Sequence, residues 1–456
     1  MNAHLPPTPA EVLTRRSTTG TGAAPPVRPR ILAVADSDSY LKFACATLDA
    51  LGPGWDRRVV LARTPILPTT EQRTTAVAGT FLRGGPPVQV VPVRHLGPLL
   101  DGADVVLAAA TGPVVQEVFR RVAARHLGRS ASPLYSALSR LRRRAGAPFR
   151  PPSSPTPGPD DLAGGRTTAL VSALPGVAYP ATEKAMRFRA LGDAFLAHSH
   201  AEARDFTGVL TALGSHQAVL TARLPFLGSA GEPVRDVTPV RTVVFAAQAK
   251  FPVGRRQREQ VLEALARTRR AHPGVAVVVK LRARAGEPQT HREEFPYDRL
   301  WEDLVARGSV AADEVRFVTG QMTGVLQPGT LLATVSSTAV LEAIDRGLPA
   351  IVLDDFGVGP GLYNEVFAGS GLIGSLGDVE ALAVRHADGD WLQDHYFHER
   401  TQTTESALLR LAERARAGRL STSPDAVATS RGLAVRNRLR TALPAPALRL
   451  IRALRH

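Results

Sequence analysis

Short apolar segments alternate with helical patterns along the chain between about residues 30 and 375. Each apolar segment is rich in Val, Leu, Ile and Ala and is bounded by polar or turn-forming residues, which is typical of strands buried on both faces of a parallel sheet. The segments of the first half are RILAVA (30–35), RRVVLA, VQVVPV, ADVVLAAA (103–110), TTALVSA and DAFLAH (193–198). Those of the second half are RTVVFAA (241–247), VAVVVKL (275–281), EVRFVT (314–319), TLLATV and AIVLDD (350–355). The alternation predicts an α/β protein with two Rossmann-like, doubly wound domains that face a cleft.

The same pattern divides the chain into four parts. Residues 1–29 form a Pro-, Gly- and Thr-rich leader with the composition of a disordered segment. Residues 30–235 are predicted to form the first domain, interrupted at 128–165 by a basic, Pro-rich insertion. Residues 236–375 are predicted to form the second domain, and residues 376–456 a mostly helical region that ends in a basic tail.

Composition narrows the functional classes. The formal charge of +15 raises the question of nucleic-acid binding, but nearly all of the basic residues are Arg, and the lysines are Lys42, Lys184, Lys250 and Lys280. With 3 Trp and 6 Tyr there are few rings on which bases could stack. No nucleic-acid partner is therefore expected. The single cysteine, Cys45, excludes an internal disulfide and a cysteine-based zinc site.

The sequence also bears on location. Residues 1–29 contain no apolar stretch of the secretory type, and no apolar run approaches the length needed to cross a bilayer. We therefore expect a cytoplasmic protein. The basic, partly amphipathic segments 136–146 and 436–456 could lie on an anionic membrane, at its inner face, or could be solvated helices that close the fold.

Polar residues that follow the predicted strands are the candidates for function, because open parallel sheets bind ligands beyond the carboxyl ends of their strands. Asp36 and Asp38 follow the first strand. The pair could act as a general base toward a hydroxyl, could bind a metal, or could simply form a turn. The other candidates at strand ends are Glu183, Lys184 and Arg187 in the first half, and Gln248, Lys250, Lys280, Arg282, Gln321, Ser336, Ser337 and Thr338 in the second.

Ser336, Ser337 and Thr338 precede a short helical pattern, although a helix start needs only one capping hydroxyl. Hydroxyls and first-turn N–H groups that face a cleft can bind phosphate. Lys280 and Arg282 at a neighbouring strand end, and His291 on the loop that follows, supply positive charge for a diphosphate. The alternatives are an over-supplied helix cap and a solvated basic loop.

The second half resembles glycosyltransferases of the GT-B fold, in particular the bacterial sialyltransferase, polysialyltransferase and CDP-glycerol transferase types. The residues that carry this resemblance are TVSSTAVLEAIDRGLP (334–349) and the basic loop VKLRARAGEPQTHRE. The stretches ADSDSYLKFA and PGVAYPATEKAMRFRALGDAFLAHS extend the likeness to an actinobacterial family of glycosyltransferases without an assigned reaction. The chain departs from the sialyltransferase types in lacking their His-Pro pair in the donor loop and a clean match to their acidic catalytic motif.

This resemblance implies a nucleotide-sugar donor held by the second domain through Ser336–Thr338, Lys280, Arg282 and His291. The acceptor, a cell-surface glycan or a lipid-linked molecule of polysaccharide biosynthesis, would bind the first domain near Glu183, Lys184 and Arg187. The expected reaction needs neither metal nor cofactor, with Asp36 or Asp38 as the base. The alternatives are a nucleotide-sugar epimerase of similar form and a non-catalytic nucleotide- or ligand-binding protein.

Overall fold

The computed structural model describes residues 28–65, 67–130, 165–228, 232–286, 293–398 and 404–422, together with Val427 and Ser430. His291 and the basic segments 136–146 and 436–456 lie outside the described residues, so the expectations placed on them stay predictions. Within the described part of the chain, no helix is long and apolar enough to cross a membrane.

The first domain is built on a seven-stranded parallel sheet. Its strands are β1 Arg30–Ala35, β2 Asp56–Arg63, β3 Gln89–Pro92, β4 Val105–Ala108, β5 Ala169–Ala173, β6 Ala194–Ala197 and β7 Ala218–Thr221. Its described helices are α1 Asp38–Asp49, α2 Thr70–Val77, α3 Gly97–Leu100, α4 Gly112–Ser130, α5 Glu183–Arg187 and α6 His200–Ala212, with a short 3-10 turn at Val93–His95. The strand order is β3-β2-β1-β4-β5-β6-β7.

The second domain is built on a six-stranded parallel sheet. Its strands are β8 Thr242–Ala246, β9 Ala276–Lys280, β10 Arg316–Val318, β11 Thr330–Thr334, β12 Ala350–Leu353 and β13 Ile373–Gly374. The helices that follow along the chain are α7 Arg255–Ala271, α8 Tyr297–Ala306, α9 Ala339–Asp345, α10 Leu376–Glu380, α11 Gly389–Asp394 and α12 Thr404–Arg416, with 3-10 turns at Met322–Gly324 and Glu365–Phe367. The strand order is β10-β9-β8-β11-β12-β13.

Both sheets start in the middle, run to one edge and then restart on the other side of the first strand. This reversal lies between β1 and β4 in the first sheet and between β8 and β11 in the second. It is the doubly wound Rossmann order, in which a crevice opens at the point of reversal. The predicted fold class, two Rossmann-like α/β domains, is confirmed.

The last helix of the described chain returns to the first domain. Leu408, Leu411 and Ala415 of α12 are buried in the same core as β1, β4 and β5. Leu376 and Val379 of α10 instead belong to the core of the second sheet. Segments on the C-terminal side of the second sheet therefore cover both domains.

A buried carboxylate joins the two domains. The Ser199 hydroxyl caps α6, accepting from the Glu202 N–H at 3.0 Å. The carboxylate of Glu202 does not complete the capping box; it accepts from the His198 N–H at 2.9 Å and the Ala178 N–H at 2.9 Å. The hydroxyl of Tyr396, from the segment after α11, donates to it at 2.8 Å. Glu202 thus fixes the loop after β5 relative to the second domain.

Candidate functional site

Two predicted residues meet at the point of reversal in the second sheet. Gln248 follows β8 and Ser336 follows β11, and these strands are neighbours. The Ser336 N–H donates to Gln248 Oε1 at 2.9 Å, and Gln248 Nε2 donates to the Ser336 hydroxyl at 3.0 Å. The structure therefore brings these two side chains together at the edge where the fold opens a ligand crevice.

The three hydroxyls that precede α9 have different surroundings. Ser336 is bound to Gln248, while the Ser337 hydroxyl accepts from the Ala339 N–H at 3.2 Å and so acts as the helix cap. Thr338 is exposed and makes no side-chain capping bond. Two of the hydroxyls thus have structural partners, and Thr338 is the exposed residue of the three.

The first domain closes over this cluster through the loop after β5. Gly176 has a φ of 77°, and a Cβ added there would lie 3.0 Å from Thr338 Cγ2. Val177 and Tyr179 of the same loop pack against the core that contains α9. A side chain at position 176 would push against Thr338, so glycine permits the close approach of the two domains.

Lys280 ends β9 and is 7% exposed. Its Nζ donates to the Leu281 carbonyl at 2.8 Å. Burial lowers the pKa of Lys280, and the positive charges of Arg282 and Lys42 act in the same direction. Arg282 itself is exposed at the mouth of the site. A buried ammonium beside a second cation is a group whose charge an anionic ligand would stabilise.

Glu342, one turn into α9, was not among the predicted site residues. Burial raises the pKa of its carboxyl group, against the lowering effect of the charges on Arg346, Lys280 and Lys42. Lys42 belongs to α1 of the first domain, where its Nζ lies 2.8 Å from Asp38 Oδ2. Charges from both domains therefore act on one carboxylate, which places Glu342 where the two halves of the cleft meet. The signal in the sequence was an acidic residue between the apolar positions Leu341 and Ile344 of a helix.

The two predicted aspartates have different environments. Asp38 is partly exposed and paired with Lys42. Asp36 is fully buried and accepts hydrogen bonds from both the backbone N–H of Thr111, at 3.0 Å, and the Thr111 hydroxyl. Burial raises the pKa of Asp36, although the Thr111 bonds and the charge of Arg189 counteract it.

Arg189, which the sequence interpretation missed, is a buried cation of the first domain. It is 1% exposed and donates to the carbonyls of Ala185 at 2.9 Å and Ala110 at 3.3 Å. Tyr40 and Asp36 both lie within its electrostatic reach. Within the described residues, Arg189 Nε and Asp36 Oδ1 have no hydrogen-bond partner.

The remaining predicted residues lie on the surface. Glu183 and Arg187 form an ion pair with each other along α5, and Lys184 is exposed on the same helix. Lys250 and Gln321 are exposed on the loops after β8 and β10. Their predicted contacts with acceptor or donor stay predictions. In the described part of the chain, no cluster of three His, Cys, Asp or Glu residues is arranged to hold a metal ion.

The molecule is thus a two-domain α/β protein whose cleft carries hydroxyl, lysine and carboxylate groups at the carboxyl ends of both sheets. Its sequence matches the model of the family described as "Putative glycosyltransferase (DUF6716)" over residues 31–140 and 158–412. The chain belongs to this family. No curated protein sequence matches it.

Solved structures with a similar course of the chain include epimerases and a transferase. UDP-N-acetylglucosamine 2-epimerase from Rickettsia bellii is 11% identical, with 85% of this chain and 96% of that chain covered and a TM-score of 0.47. The UDP-GlcNAc 2-epimerase of Neisseria meningitidis bound to UDP-GlcNAc is 10% identical, with coverage of 90% and 100% and a TM-score of 0.42. The lipopolysaccharide outer core galactosyltransferase WaaB, in its apo form, is 10% identical, with coverage of 90% and 99% and a TM-score of 0.38. Identities and scores this low do not choose between the two activities.

Proposed function

We propose that the protein transfers a sugar from a nucleotide-activated donor to a hydroxyl of a glycan or lipid-linked acceptor. The observation that carries this proposal is the group formed by Ser336, Gln248, Thr338 and Lys280 at the reversal point of the second sheet. Membership in a family described as glycosyltransferases supports it. The acceptor class follows from the resemblance to transferases of surface polysaccharides.

The donor would bind with its phosphates between Thr338, Lys280 and Arg282. The Thr338 hydroxyl can donate to a phosphate oxygen, and the two cations can balance the charge that develops on the leaving group. The carboxylate of Glu342 is suited to accept hydrogen bonds from ribose hydroxyls. These cations supply the positive charge that a metal would otherwise bring, in keeping with the expected metal-independent reaction.

Asp38 is the better placed of the two predicted bases. The side chain of Asp38 is 18% exposed, with Oδ2 beside Lys42, whereas Asp36 is fully buried beneath Thr111. A general base must reach the proton that it removes. We therefore assign proton abstraction from the acceptor hydroxyl to Asp38, and the positioning of Thr111 and Arg189 to Asp36.

The test is calorimetric binding of CMP, CDP, UDP and GDP to the full chain. Wild type is expected to bind one of them selectively, and a Ser336→Ala/Ser337→Ala variant is expected to lose that binding. Since both serines also have structural partners, Thr338→Val is the sharper variant. It keeps the shape of the side chain and removes a hydroxyl that has no capping role, so affinity is expected to fall roughly tenfold with no change in Tm.

Further variants and assays distinguish the alternatives. Asp38→Asn is expected to bind the nucleotide as wild type does and to lose turnover of the nucleotide sugar. Conversion of a nucleotide sugar without any acceptor would indicate an epimerase, and binding without turnover would indicate a binding protein. Failure of well-folded wild-type protein to bind any of the four nucleotides would contradict the proposal.

Replacing Lys280 with methionine separates binding from stability. Because burial already disfavours the charged lysine, the free energy of unfolding is expected to change by less than ~1 kcal/mol or to rise. The affinity for the preferred nucleotide is expected to fall by about ten- to a hundredfold, as for the loss of a charge-assisted hydrogen bond. Thermal unfolding and calorimetry on the same samples measure both quantities. Unchanged affinity would remove Lys280 from the donor site.

A further inference from the structure

One aromatic ring stands exposed at the carboxyl edge of the second sheet. Tyr363 lies on the loop between β12 and the 3-10 turn Glu365–Phe367, and 54% of it is exposed. Its φ is 58°, in the left-handed region that bulky residues rarely adopt. Glycine or asparagine would suit this backbone better, so the tyrosine needs a reason other than local stability.

The loop holds Tyr363 in place. Asn364 is fully buried, donates through Nδ2 to the Gly357 carbonyl at 3.0 Å and accepts from the Gly359 N–H at 2.9 Å. The Gly357 N–H in turn donates to the Asp354 carbonyl at 2.8 Å. The loop is therefore closed on itself, and the ring is presented by a fixed backbone.

A second ring extends this surface toward the donor site. Phe251 lies 5.7 Å from Tyr363 between ring centroids, at an interplanar angle of 65°. Phe251 is three residues from Gln248, a chain distance of at most about 11 Å. We call Phe251 and Tyr363 the aromatic shelf. Because Gln248 is bound to Ser336, the shelf lies beside the proposed phosphate site.

The groups around the shelf restrict what it could bind. Val253 and Val358 are exposed on the same two loops, and the exposed residues Asp354 and Asp355 begin the second loop. One carboxylate oxygen of Asp355, Oδ2, already accepts from the Leu376 N–H at 2.8 Å. Lys250 is the cation on the side nearer Gln248. Aromatic faces accept apolar surface, and carboxylates accept hydrogen bonds from hydroxyls but repel anions. A lipid chain would offer the Asp354 carboxylate no hydrogen-bond donor.

We propose that the aromatic shelf binds the apolar face of a neutral sugar ring, with its hydroxyls toward Asp354 and Asp355. The inference rests on the proposed function for the source of the ring, which is either the donor or the acceptor. It deepens that function by restricting the ring to uncharged sugars, against acidic ones such as sialic acid.

The test uses saturation-transfer NMR with the methyl glycosides of glucose, galactose, N-acetylglucosamine and N-acetylneuraminic acid. Wild type is expected to saturate at least one neutral glycoside and not the acidic one. Tyr363→Asn removes the ring while relieving the backbone, so Tm is expected to stay or rise while neutral-glycoside affinity falls about three- to tenfold. Tyr363→Phe keeps the stacking face and is expected to bind as wild type does. Phe226→Ala, which removes an exposed ring outside the shelf, is the matched control.

Calorimetry with UDP, CMP, UDP-glucose and CMP-N-acetylneuraminic acid shows whether the bound sugar ring belongs to the donor or to the acceptor. If Tyr363→Asn abolishes the advantage of UDP-glucose over UDP, the ring belongs to the donor; if only the free glycoside is affected, it belongs to the acceptor. If wild type binds a neutral glycoside but binds none of the nucleotides, the proposal for the aromatic shelf is supported and the proposed function is contradicted. Stronger binding of the acidic glycoside than of the neutral ones would contradict the proposal for the aromatic shelf. The proposal would also be contradicted if wild type gave no signal with any neutral glycoside and if wild type and Tyr363→Asn bound the nucleotide sugars with equal affinity.

Discussion

Replacing Arg189 with methionine is expected to lower the free energy of unfolding of the first domain by about 3–5 kcal/mol at pH 8. The guanidinium is 1% exposed and holds the carbonyls of Ala185 and Ala110. Its removal leaves those carbonyls without a donor and Asp36 without its nearest buried cation. Thermal and urea unfolding, followed by tryptophan fluorescence and circular dichroism, measure the loss.

The pH dependence of this loss identifies its cause. Burial raises the pKa of Asp36 even with Arg189 present, so the pKa must rise further without it. A carboxyl group whose folded-state pKa is raised favours folding below its unfolded-state pKa, and that contribution disappears as pH rises through the folded-state value. The deficit of Arg189→Met is therefore expected to be smaller at pH 4 than at pH 8. A deficit that does not vary with pH would show that Asp36 is not the affected group.

Arg187→Ala is the matched control for this experiment. Arg187 lies two residues earlier, is exposed and pairs with Glu183 across one helical turn. Exposed pairs of this kind contribute little, so the change should stay within about 0.5 kcal/mol at either pH. A loss as large as that of Arg189→Met would mean that the α5 surface, and not the buried cation, stabilises this region.

The contrast between Arg187 and Arg189 shows where the sequence stops being informative. Strand positions could be predicted because each buried strand is a continuous apolar segment; RILAVA corresponds to β1, Arg30–Ala35. The strand order then places Gln248 beside Ser336. Which arginine of RFR turns inward depends on the end of α5 and on the Ala110 carbonyl just after β4, and neither is encoded locally.

The sequence is also only partly informative about the three hydroxyls before α9. The sequence shows two more hydroxyls than a helix cap requires, and it places the group at a strand end. It does not show that Ser336 pairs with Gln248 or that Ser337 is the cap, because Gln248 is 88 residues away. Thr338 stands out only when its contact with Gly176 of the other domain is known.

The burial of Arg258 could be predicted from the sequence. It lies on the same helical face as Val261, Leu262 and Leu265, at spacings of three, four and seven residues, and all four are buried. A charged residue in register with an apolar face should be buried with partners. The partners themselves are loop carbonyls, which the pattern cannot identify.

Replacing Arg258 with methionine is expected to have the second large effect. Its guanidinium donates to the carbonyls of Pro252 at 2.8 Å, Ala249 at 2.8 Å and Gln248 at 3.2 Å, and it also pairs with Glu293. Methionine fills much of the volume but leaves the carbonyls without donors and the carboxylate without its cation. A loss of about 3–5 kcal/mol in the stability of the second domain follows.

The same substitution should also weaken binding at the proposed donor site, because Arg258 fixes the loop that carries Gln248. If that loop shifts, Ser336 loses its partner, and nucleotide affinity should fall by roughly tenfold or more at temperatures where the variant is folded. Amide hydrogen exchange should report faster opening at 247–251. Arg256→Ala, an exposed position two residues earlier on α7, is expected to change neither quantity. An Arg258→Met protein with lower stability and wild-type affinity would show that the loop is held by other contacts, and that Gln248 orients Ser336 without help from the arginine beneath it.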